Sequence, residues 1–230
     1  MLLIITHTED YTVDYVANIL NKKGLDFFRL NTDQLQAVDY NILINNSIQS
    51  IHISNSNFTS LWFRRIKLPT IGHSSFEVNK FIALDYESLL FNSISSIDFK
   101  NKVSDPYSIY RAENKLLQLQ VASKAGFLIP KTLLTNSKSE LQSFLSDHQT
   151  VIKPIRSGRL LIDNQNNLFY TSRLSKENLN DETQLTPAIY QQEISKEFEV
   201  RVTVINDKAF AAKVFSQDYP ETQVDWRKNK

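Results

Sequence analysis

The segment Glu-Val-Arg-Val-Thr-Val at residues 199–204 constrains the fold of this chain more than any other. Valine and threonine favour the extended conformation, and a strand sends alternate side chains to opposite faces. Glu199 and Arg201 therefore project from the same face of the predicted strand, where a carboxylate and a guanidinium can bind one ligand together. The segment predicts a β-sheet with a binding face near the C-terminal end of the chain.

The composition limits the classes of function open to this chain. Its 230 residues can bury a sizeable core and allow one large domain or two small ones, of which we predict two. The formal net charge is +1 with no long block of like charges, so nothing indicates a surface for nucleic acid or an anionic membrane. The absence of cysteine excludes disulfides, thiolate metal sites and a cysteine nucleophile, and it fits a reducing compartment.

The start of the sequence does not read as a targeting segment. The apolar residues 2–5 are too few for a signal peptide, and no stretch approaches the roughly 20 apolar residues that a membrane span requires. We therefore predict a cytoplasmic protein whose partners include neither a membrane nor a nucleic acid.

Glycine is scarce, with 4 residues in the whole chain. Phosphate-binding loops of the Walker and dinucleotide types need glycines at fixed spacing, and neither pattern is present. Side chains and strand backbones must therefore hold any nucleotide that this protein binds.

Residues 1–100 predict an α/β domain. A strand at 2–5, a helix that ends near Gly24 and an extended stretch at 26–30 form a β-α-β unit, which implies parallel strands. Further strands are predicted at 40–44, 47–53 and 61–65. A long helix over residues 76–97 then carries the apolar residues Phe81, Leu84, Leu90 and Ile94.

Residues 101–230 predict an α+β domain after a linker at 98–106. A helix is expected over residues 109–125, and a capping box from Ser137 to Glu140 predicts a short helix that buries Leu141. The rest of the domain is mainly β, with a hairpin around residues 206–208. The predicted strands are 131–134, 150–154, 159–163, 168–172, 188–194, 198–205 and 209–215, with an Asn-rich turn at 164–167.

Two lysines are candidates for anion binding. Lys115 lies in a predicted helix, where a lysine is most often a solvated charge. Lys153 follows Val151 and Ile152 in a presumed central strand, so its ammonium must reach an edge of the sheet or meet a buried anion. The residues alone leave both alternatives open.

Three motifs together carry a family resemblance. They are Val-Ile-Lys-Pro at 151–154, the run from Gln191 through Lys196 to the Glu-Val-Arg strand, and Asp-Trp-Arg-Lys-Asn at 225–229. This combination resembles the ATP-grasp enzymes, which activate a carboxylate with ATP. The resemblance implies an α/β N-terminal pre-ATP-grasp domain at residues 1–100. It also implies an α+β ATP-grasp domain at residues 101–230 that lacks its C-terminal metal-binding part.

The resemblance also implies roles for single residues. In the family, two lysines contact the nucleotide, a hinge backbone reads the adenine edge, and an acid binds the ribose hydroxyls. Basic residues at the reaction centre stabilise the transferring phosphoryl group, and a terminal asparagine reaches toward phosphate and substrate. The matching positions are Lys115 and Lys153 for the nucleotide, Gln192 and Glu193 for the hinge, Glu199 for the ribose, Arg201 and Arg227 for catalysis, and Asn229 for the phosphates.

Simpler interpretations of two of these groups stay open. Glu199 and Arg201 could form an ordinary ion pair on the strand, a kind of contact that is common and contributes little. The residues from Gln191 to Ile194 could be a strand end with polar side chains in water.

One branch of the family matches the sequence over nearly its whole length. Trp62-Phe63-Arg64-Arg65, the Glu-Val-Arg-Val-Thr strand and Ala211-Ala212-Lys213 look like the peptide-maturing ATP-grasp ligases of the microviridin and graspetide type. That resemblance implies a precursor peptide with a leader as partner and ATP and Mg²⁺ as cofactors. The reaction it implies joins peptide side chains by ester or amide bonds through an acyl phosphate.

The sequence departs from the family pattern at its end. The family's magnesium ligands lie downstream of the Asp-Trp-Arg region, so they are expected beyond residue 230, and no metal ligand is assigned within the sequence. We therefore expect the chain as written to bind nucleotide poorly and to catalyse little. An exposed sheet edge would also favour association into a homodimer.

Two alternatives remain at this point. The first is a RimK-like or glutathione-synthase-like ligase that acts on a free amino acid or a protein C-terminus. The second is a non-catalytic, truncated module that binds a peptide or a nucleotide.

Overall fold

The computed structural model describes residues 1–45, 47–53, 57–155, 159–162, 165–180 and 183–228. The chain divides into two compact units, Met1–Ala112 and Glu113–Lys230. None of the described helices has the length and apolar character that crossing a bilayer requires.

The first unit is an α/β domain. Its main sheet has the strand order β2-β1-β5-β6, and every pairing in it is parallel. Strands β3 and β4 pair separately as an antiparallel ribbon. In chain order the elements are β1 (Leu2–Thr6), α1 (Tyr11–Lys22), β2 (Phe27–Asn31), a 3-10 turn (Thr32–Ala37), β3 (Tyr40–Asn45), β4 (Ser47–Ile53), β5 (Ser60–Phe63), α2 (Phe76–Ser96), β6 (Asn101–Val103) and α3 (Pro106–Ala112).

The core of the first unit lies between the parallel sheet and α2. Leu3 of β1 and Leu61 of β5 are buried there against Leu90 and Ile94 of α2. The N-terminal half of α2 differs from the prediction, because Phe81 and Leu84 are exposed. The apolar pattern of this helix therefore contributes to the core only over its C-terminal half.

The predicted boundary at residue 100 falls within the first compact unit. Strand β6 extends the parallel sheet by pairing with β5, and Ile109 of α3 packs against the same core. Residues 101–112 thus continue the first unit, where the sequence indicated a linker and the start of the second domain.

The polar end of β5 is fixed to the start of α1. Asp10 caps this helix by accepting hydrogen bonds from the backbone N–H groups of Thr12 and Val13. Arg64 donates to both oxygens of Asp10, from Nε at 3.2 Å and from Nη2 at 3.1 Å. Arg64, one of the two arginines in the Trp-Phe-Arg-Arg segment, therefore has a structural role.

The second unit is an α+β domain. Its main sheet has the strand order β11-β8-β12-β7 with antiparallel pairings. Strands β9 and β10 form one hairpin, and β13 and β14 form another. In chain order the elements are α4 (Lys115–Lys124), β7 (Thr132–Leu133), α5 (Lys138–Asp147), β8 (Thr150–Pro154), β9 (Arg159–Ile162), β10 (Gln165–Leu168), β11 (Ser172–Leu174), β12 (Ala188–Gln192), β13 (Glu199–Ile205) and β14 (Lys208–Val214), with 3-10 turns at Lys176–Asn178, Pro220–Thr222 and Trp226–Lys228.

A predicted helix start and a predicted hairpin turn in this unit are confirmed. Ser137 accepts a hydrogen bond from the backbone N–H of Glu140 and so begins α5. Asn206 adopts φ of 54°, the left-handed conformation that a tight hairpin turn requires, between β13 and β14.

Two predictions of secondary structure are wrong. The helix expected over residues 109–125 is split into α3 and α4, because the Asn114 side chain accepts hydrogen bonds from Leu116 N and Leu117 N and begins a new helix. The expected strand at 168–172 is also absent as such. Gln165–Leu168 form β10, so the described part of the predicted turn is extended, and β11 begins at Ser172.

The main sheet of the second unit uses its two faces differently. Tyr190 and Ile152 are paired across β12 and β8, and both point into a core that contains the fully buried Leu141 of α5. Their neighbours Lys153 and Gln191 therefore project from the opposite face. The face of the sheet away from α5 is consequently the one that carries polar chemistry.

Replacing Leu141 by alanine tests this core. The side chain is fully buried, so its truncation is expected to lower the free energy of unfolding by about 2–5 kcal/mol. Leu128→Ala is the matched control, because Leu128 is fully exposed and its truncation should change stability by less than about 0.5 kcal/mol. Urea unfolding monitored by far-UV circular dichroism measures both, and equal effects would contradict the assignment of the core.

Candidate functional site

A cleft of about 390 Å³ lies on the polar face of the main sheet in the second unit. Its walls come from β8, β12, the start of β13 and the segment around residues 223–227. Five of the residues predicted for the site line it: Lys153, Gln192, Glu193, Glu199 and Arg227. Stretches of chain that are far apart in sequence therefore meet at one cavity.

Lys153 is the cation at the centre of this cleft. Its Nζ donates a hydrogen bond to Gln191 Oε1 at 2.5 Å. Burial lowers the pKa of Lys153, and the nearby charges of Lys115, Lys196 and Arg227 lower it further, while Asp225 acts in the opposite direction. The ammonium is thus partly desolvated among like charges, and an anionic ligand would relieve both costs.

Lys115 lies next to the cleft and is absent from its lining. It is the first residue of α4, and its Nζ donates to the backbone oxygen of Pro154 at the end of β8. Burial lowers the pKa of Lys115, and the charge of Arg227 adds to this effect. The two predicted lysines are therefore close enough to act on one ligand.

Glu199 contributes a carboxylate to the cleft. Its Oε1 lies 2.6 Å from Lys196 Nζ, close enough for an ion pair. The same oxygen is buried and accepts no hydrogen bond of acceptable geometry from the residues that the structure describes. This oxygen is closed to solvent, so a ligand hydroxyl would have to use the other carboxylate oxygen of Glu199.

Arg201 is exposed and lies outside the lining of the cleft. The register of β13 and β14 places it on the same face as Glu199, as the alternation predicted. The ion-pair partner of Glu199 is Lys196, however, so the simple pair of Glu199 with Arg201 is not found among the described contacts. The catalytic role of Arg201 stays a prediction.

Arg227 is held in the cleft by Asp225. The carboxylate of Asp225 is almost fully buried and accepts from Arg227 Nε at 2.8 Å and Nη2 at 2.5 Å. The backbone N–H of Thr171 donates to it at 2.9 Å. Burial opposes ionisation of Asp225, but these hydrogen bonds outweigh it and lower the pKa to about 2. Asp225 is therefore a charged anchor that orients the guanidinium.

The hinge residues are already engaged within the protein. The backbone N–H of Gln192 donates to Lys131 O at 2.9 Å, and that of Glu193 donates to Gln149 O at 2.7 Å. The carboxylate of Glu193 binds Arg173 through Nε and Nη2. These two N–H groups are therefore not free to bind adenine.

The structure does not test the predictions for Asn229 and for the magnesium ligands. Asn229 lies outside the described residues. Within the described residues, no group of three histidine, aspartate or glutamate side chains could hold a metal ion, so we assign no ligand to Mg²⁺.

Sequence reasoning missed three residues that shape the cleft. Gln191 and Lys196 line it beside Lys153 and Glu199, and Asp225 anchors Arg227. All three lie inside the motifs that drew attention to this region. Their contacts, however, depend on partners that only the fold brings close.

Comparisons with known proteins agree with this fold. Residues 1–109 match the family described as the MvdD pre-ATP grasp domain. The macrocyclase MdnB from Microcystis aeruginosa is 30% identical, with 94% of this chain and 75% of that chain covered and a TM-score of 0.72. A RiPP-associated ATP-grasp ligase from Chryseobacterium gregarium is 26% identical, with 99% of this chain and 73% of that chain covered and a TM-score of 0.81.

A further structure supports the fold alone. The macrocyclase MdnC from Microcystis aeruginosa, bound with its precursor peptide MdnA, is 22% identical, with 96% of this chain and 79% of that chain covered and a TM-score of 0.81. A search of curated protein sequences finds no significant match.

The fold and these comparisons define an enzyme of the ATP-grasp ligase type. The chain belongs to the graspetide-type ATP-grasp peptide maturases. The predicted arrangement of an α/β pre-ATP-grasp domain followed by an α+β ATP-grasp domain is confirmed. The alternative of a RimK-like or glutathione-synthase-like ligase has no support in these comparisons.

Replacing Asp225 by asparagine tests the anchor of Arg227. Because the pKa of Asp225 is lowered from 3.8 to about 2 in the folded protein, its charge stabilises the fold above pH 4 and this contribution is lost as the pH falls toward 2. The variant should lower the free energy of unfolding at neutral pH by at most about 2 kcal/mol, since Arg227 is half exposed. Urea unfolding at a series of pH values measures the difference.

Asp218→Asn is the control for this change, because Asp218 is an exposed aspartate in the same region. Its effect on stability at neutral pH should be small, because an exposed side chain contributes little. A stability difference for Asp225→Asn that does not change with pH would contradict the anchor.

Proposed function

We propose that this protein uses ATP to activate a carboxyl side chain of a precursor peptide and joins it to a second side chain of the same peptide. The observation that carries the proposal is the convergence of Lys153, Lys196 and Arg227 with the Glu199 carboxylate in one cleft. Lys115 adds a fourth cation beside it. Nucleotide triphosphate fits this arrangement, because it combines a polyanion with ribose hydroxyls.

The balance of charge in the cleft supports a polyanionic ligand. Four basic groups, Lys115, Lys153, Lys196 and Arg227, face three carboxylates, Glu193, Glu199 and Asp225. The carboxylate of Glu193 is bound by Arg173, which does not line the cleft. The carboxylate of Asp225 is committed to Arg227, and an excess of positive charge remains on a partly desolvated surface. Such a surface attracts phosphates, and the partly exposed carboxylate of Glu199 can accept hydrogen bonds from ribose hydroxyls.

The ligands of similar proteins support ATP and a peptide as partners. The Chryseobacterium gregarium ligase is in complex with ADP and with a leader and core peptide, and MdnC is bound with a precursor peptide. The ATP-grasp ligase PsnB has been solved with Mg, ADP and a minimal precursor, and with AMPPNP and a precursor peptide. By analogy we propose ATP and Mg²⁺ as cofactors and a peptide with a leader as substrate.

The proposed chemistry has two steps. A peptide carboxylate oxygen attacks the γ-phosphorus of ATP, which forms an acyl phosphate and releases ADP. A hydroxyl or amine of a second side chain then attacks the carbonyl carbon, phosphate leaves, and the nucleophile loses its proton. The product is an ester or an amide, and the peptide has lost one water.

The cleft residues act in this scheme by position and charge. We propose that Lys115 and Lys153 bind the phosphates and that Glu199 binds the ribose. Arg227, held by Asp225, and Arg201 are proposed to stabilise the charge that develops on the transferred phosphoryl group. No covalent nucleophile of the enzyme is required.

Two further parts of the proposal concern the setting of the enzyme. A cytoplasmic location agrees with a chain that contains no cysteine and that consumes ATP. A homodimer is proposed because the described edge strands β2 and β11 leave backbone groups available for pairing.

Mass spectrometry of the peptide product tests the proposed reaction. The protein expressed from its own gene is incubated with ATP, Mg²⁺ and a precursor peptide encoded beside that gene. We expect the peptide to lose the mass of one water for each crosslink, with one ADP released each time. An unchanged peptide, together with ADP release that depends on a free amino acid, would contradict the proposal.

Replacing Lys153 by alanine tests the placement of the nucleotide. Loss of one charged contact to phosphate should raise the Kd for ADP about 10- to 100-fold. Isothermal titration calorimetry measures this change without any need for turnover. The control is Lys124→Ala at the exposed end of α4, which should leave the Kd unchanged. An unchanged Kd in the Lys153 variant would show that the nucleotide binds elsewhere.

A further inference from the structure

Gln191 is a buried amide in the wall of the cleft, with 7% of its surface exposed. Both ends of its side chain are hydrogen bonded. Its Oε1 accepts from Lys153 Nζ at 2.5 Å, and its Nε2 donates to Thr132 Oγ1 at 2.8 Å. Strand β12 pairs with β8 on one side and β7 on the other, so one side chain bridges three strands.

The contacts of Thr132 fix the direction of this bridge. Its hydroxyl donates to the backbone oxygen of Pro130 at 2.9 Å, so toward Gln191 the Thr132 oxygen acts as an acceptor. An amide that donates through Nε2 to Thr132 must turn its Oε1 toward Lys153. The hydrogen bonds thus run in one direction from the ammonium of Lys153 to a backbone carbonyl, and each donor has one acceptor.

The neutrality of the Gln191 side chain is the second relevant property. A carboxylate at this position would also accept a hydrogen bond from Lys153, but it would cancel the positive charge. The charged groups that shift the pKa of Lys153 are the cations Lys115, Lys196 and Arg227 and the carboxylate of Asp225, which already binds Arg227. The carboxylates of Glu193 and Glu199 line the same cleft, but they are paired with Arg173 and Lys196. With a neutral partner, the charge of Lys153 remains available to a ligand.

We propose that Gln191 is a positioning residue for phosphate binding: through Thr132 it holds the ammonium of Lys153 at the cleft wall while leaving its charge uncompensated. The inference rests on the proposed function and deepens it. It predicts that the hydrogen bond of Gln191 and the neutrality of its side chain each affect the Kd for ADP and can be tested separately.

Two substitutions separate the two effects. Gln191→Leu removes the acceptor and should raise the Kd for ADP about tenfold, as expected for the loss of one hydrogen bond to a charged group. Gln191→Glu keeps the acceptor but adds a negative charge, and it should raise the Kd by a similar or larger factor at neutral pH. Gln142→Glu, the same change on the exposed face of α5, is the matched control and should leave the Kd unchanged.

The dependence of ADP binding on pH distinguishes this role from a merely structural one. Affinity should fall at alkaline pH as Lys153 loses its proton. A new carboxylate beside the ammonium raises the pKa of Lys153, so Gln191→Glu should move this loss of affinity to higher pH. A variant that only loosened the strands would weaken binding without such a shift.

Acylation of lysines gives a second measurement that needs no nucleotide. An amine-reactive acylating reagent modifies only neutral amines, and peptide mass spectrometry reports the rate at each lysine. Relative to the exposed Lys124 of the same chain, Lys153 should react more slowly in Gln191→Glu than in the natural protein. If Gln191→Glu does not fold, Thr132→Val removes the hydroxyl that orients the amide and should raise the Kd for ADP severalfold.

The outcomes separate this inference from the proposed function. Suppose that Lys153→Ala weakens ADP binding but that Gln191→Glu shows the same alkaline loss of affinity and the same acylation rate as the natural protein. The role of Gln191 would then be overturned while the nucleotide site stands. An ADP affinity that Lys153→Ala leaves unchanged would overturn the nucleotide site and the role of Gln191 with it.

Discussion

The partly buried ammonium of Lys153 is the constraint on which the architecture of the cleft depends. A cation on a central strand has lost part of its hydration, so the surrounding structure must supply acceptors or an anion. The protein supplies one neutral acceptor, Gln191, and surrounds the site with further cations. This arrangement is costly without a ligand and favourable with a polyanion, which is the property that a phosphate-binding enzyme needs.

The parts of the fold that follow from local chemistry could be predicted from the sequence. The capping serine at residue 137 and the hairpin turn at Asn206 each fix a few neighbouring residues, and both were found. The break between α3 and α4 was missed because Asn114 is compatible with a helix interior and with a cap, and the choice depends on tertiary packing. Residues 165–167 were predicted as a turn but lie in β10, because pairing with β9 outweighs the preference of asparagine for a turn.

The residues of the candidate site also divide into those that the sequence predicted and those that it missed. Lys153, Glu199 and Arg227 carry charge at recognisable spacings, and the structure brings them to one cleft. Alternation placed Arg201 on the correct face, but it could not tell how far along that face the cleft extends. Gln191 and Asp225 were missed because their roles depend on Thr132 and Thr171, which are more than fifty residues away in the sequence.

The hydrophobic core and the cleft are linked through the alternation of side chains along β12. Tyr190 points into the core with Leu141, while its neighbour Gln191 points into the cleft and holds Lys153. A shift of register by one residue would bury the amide in the core and expose the tyrosine. Packing of the aromatic ring against α5 therefore fixes the strand that positions the amide. The hydrophobic core on one face of this sheet thus determines where the positive charge lies on the other.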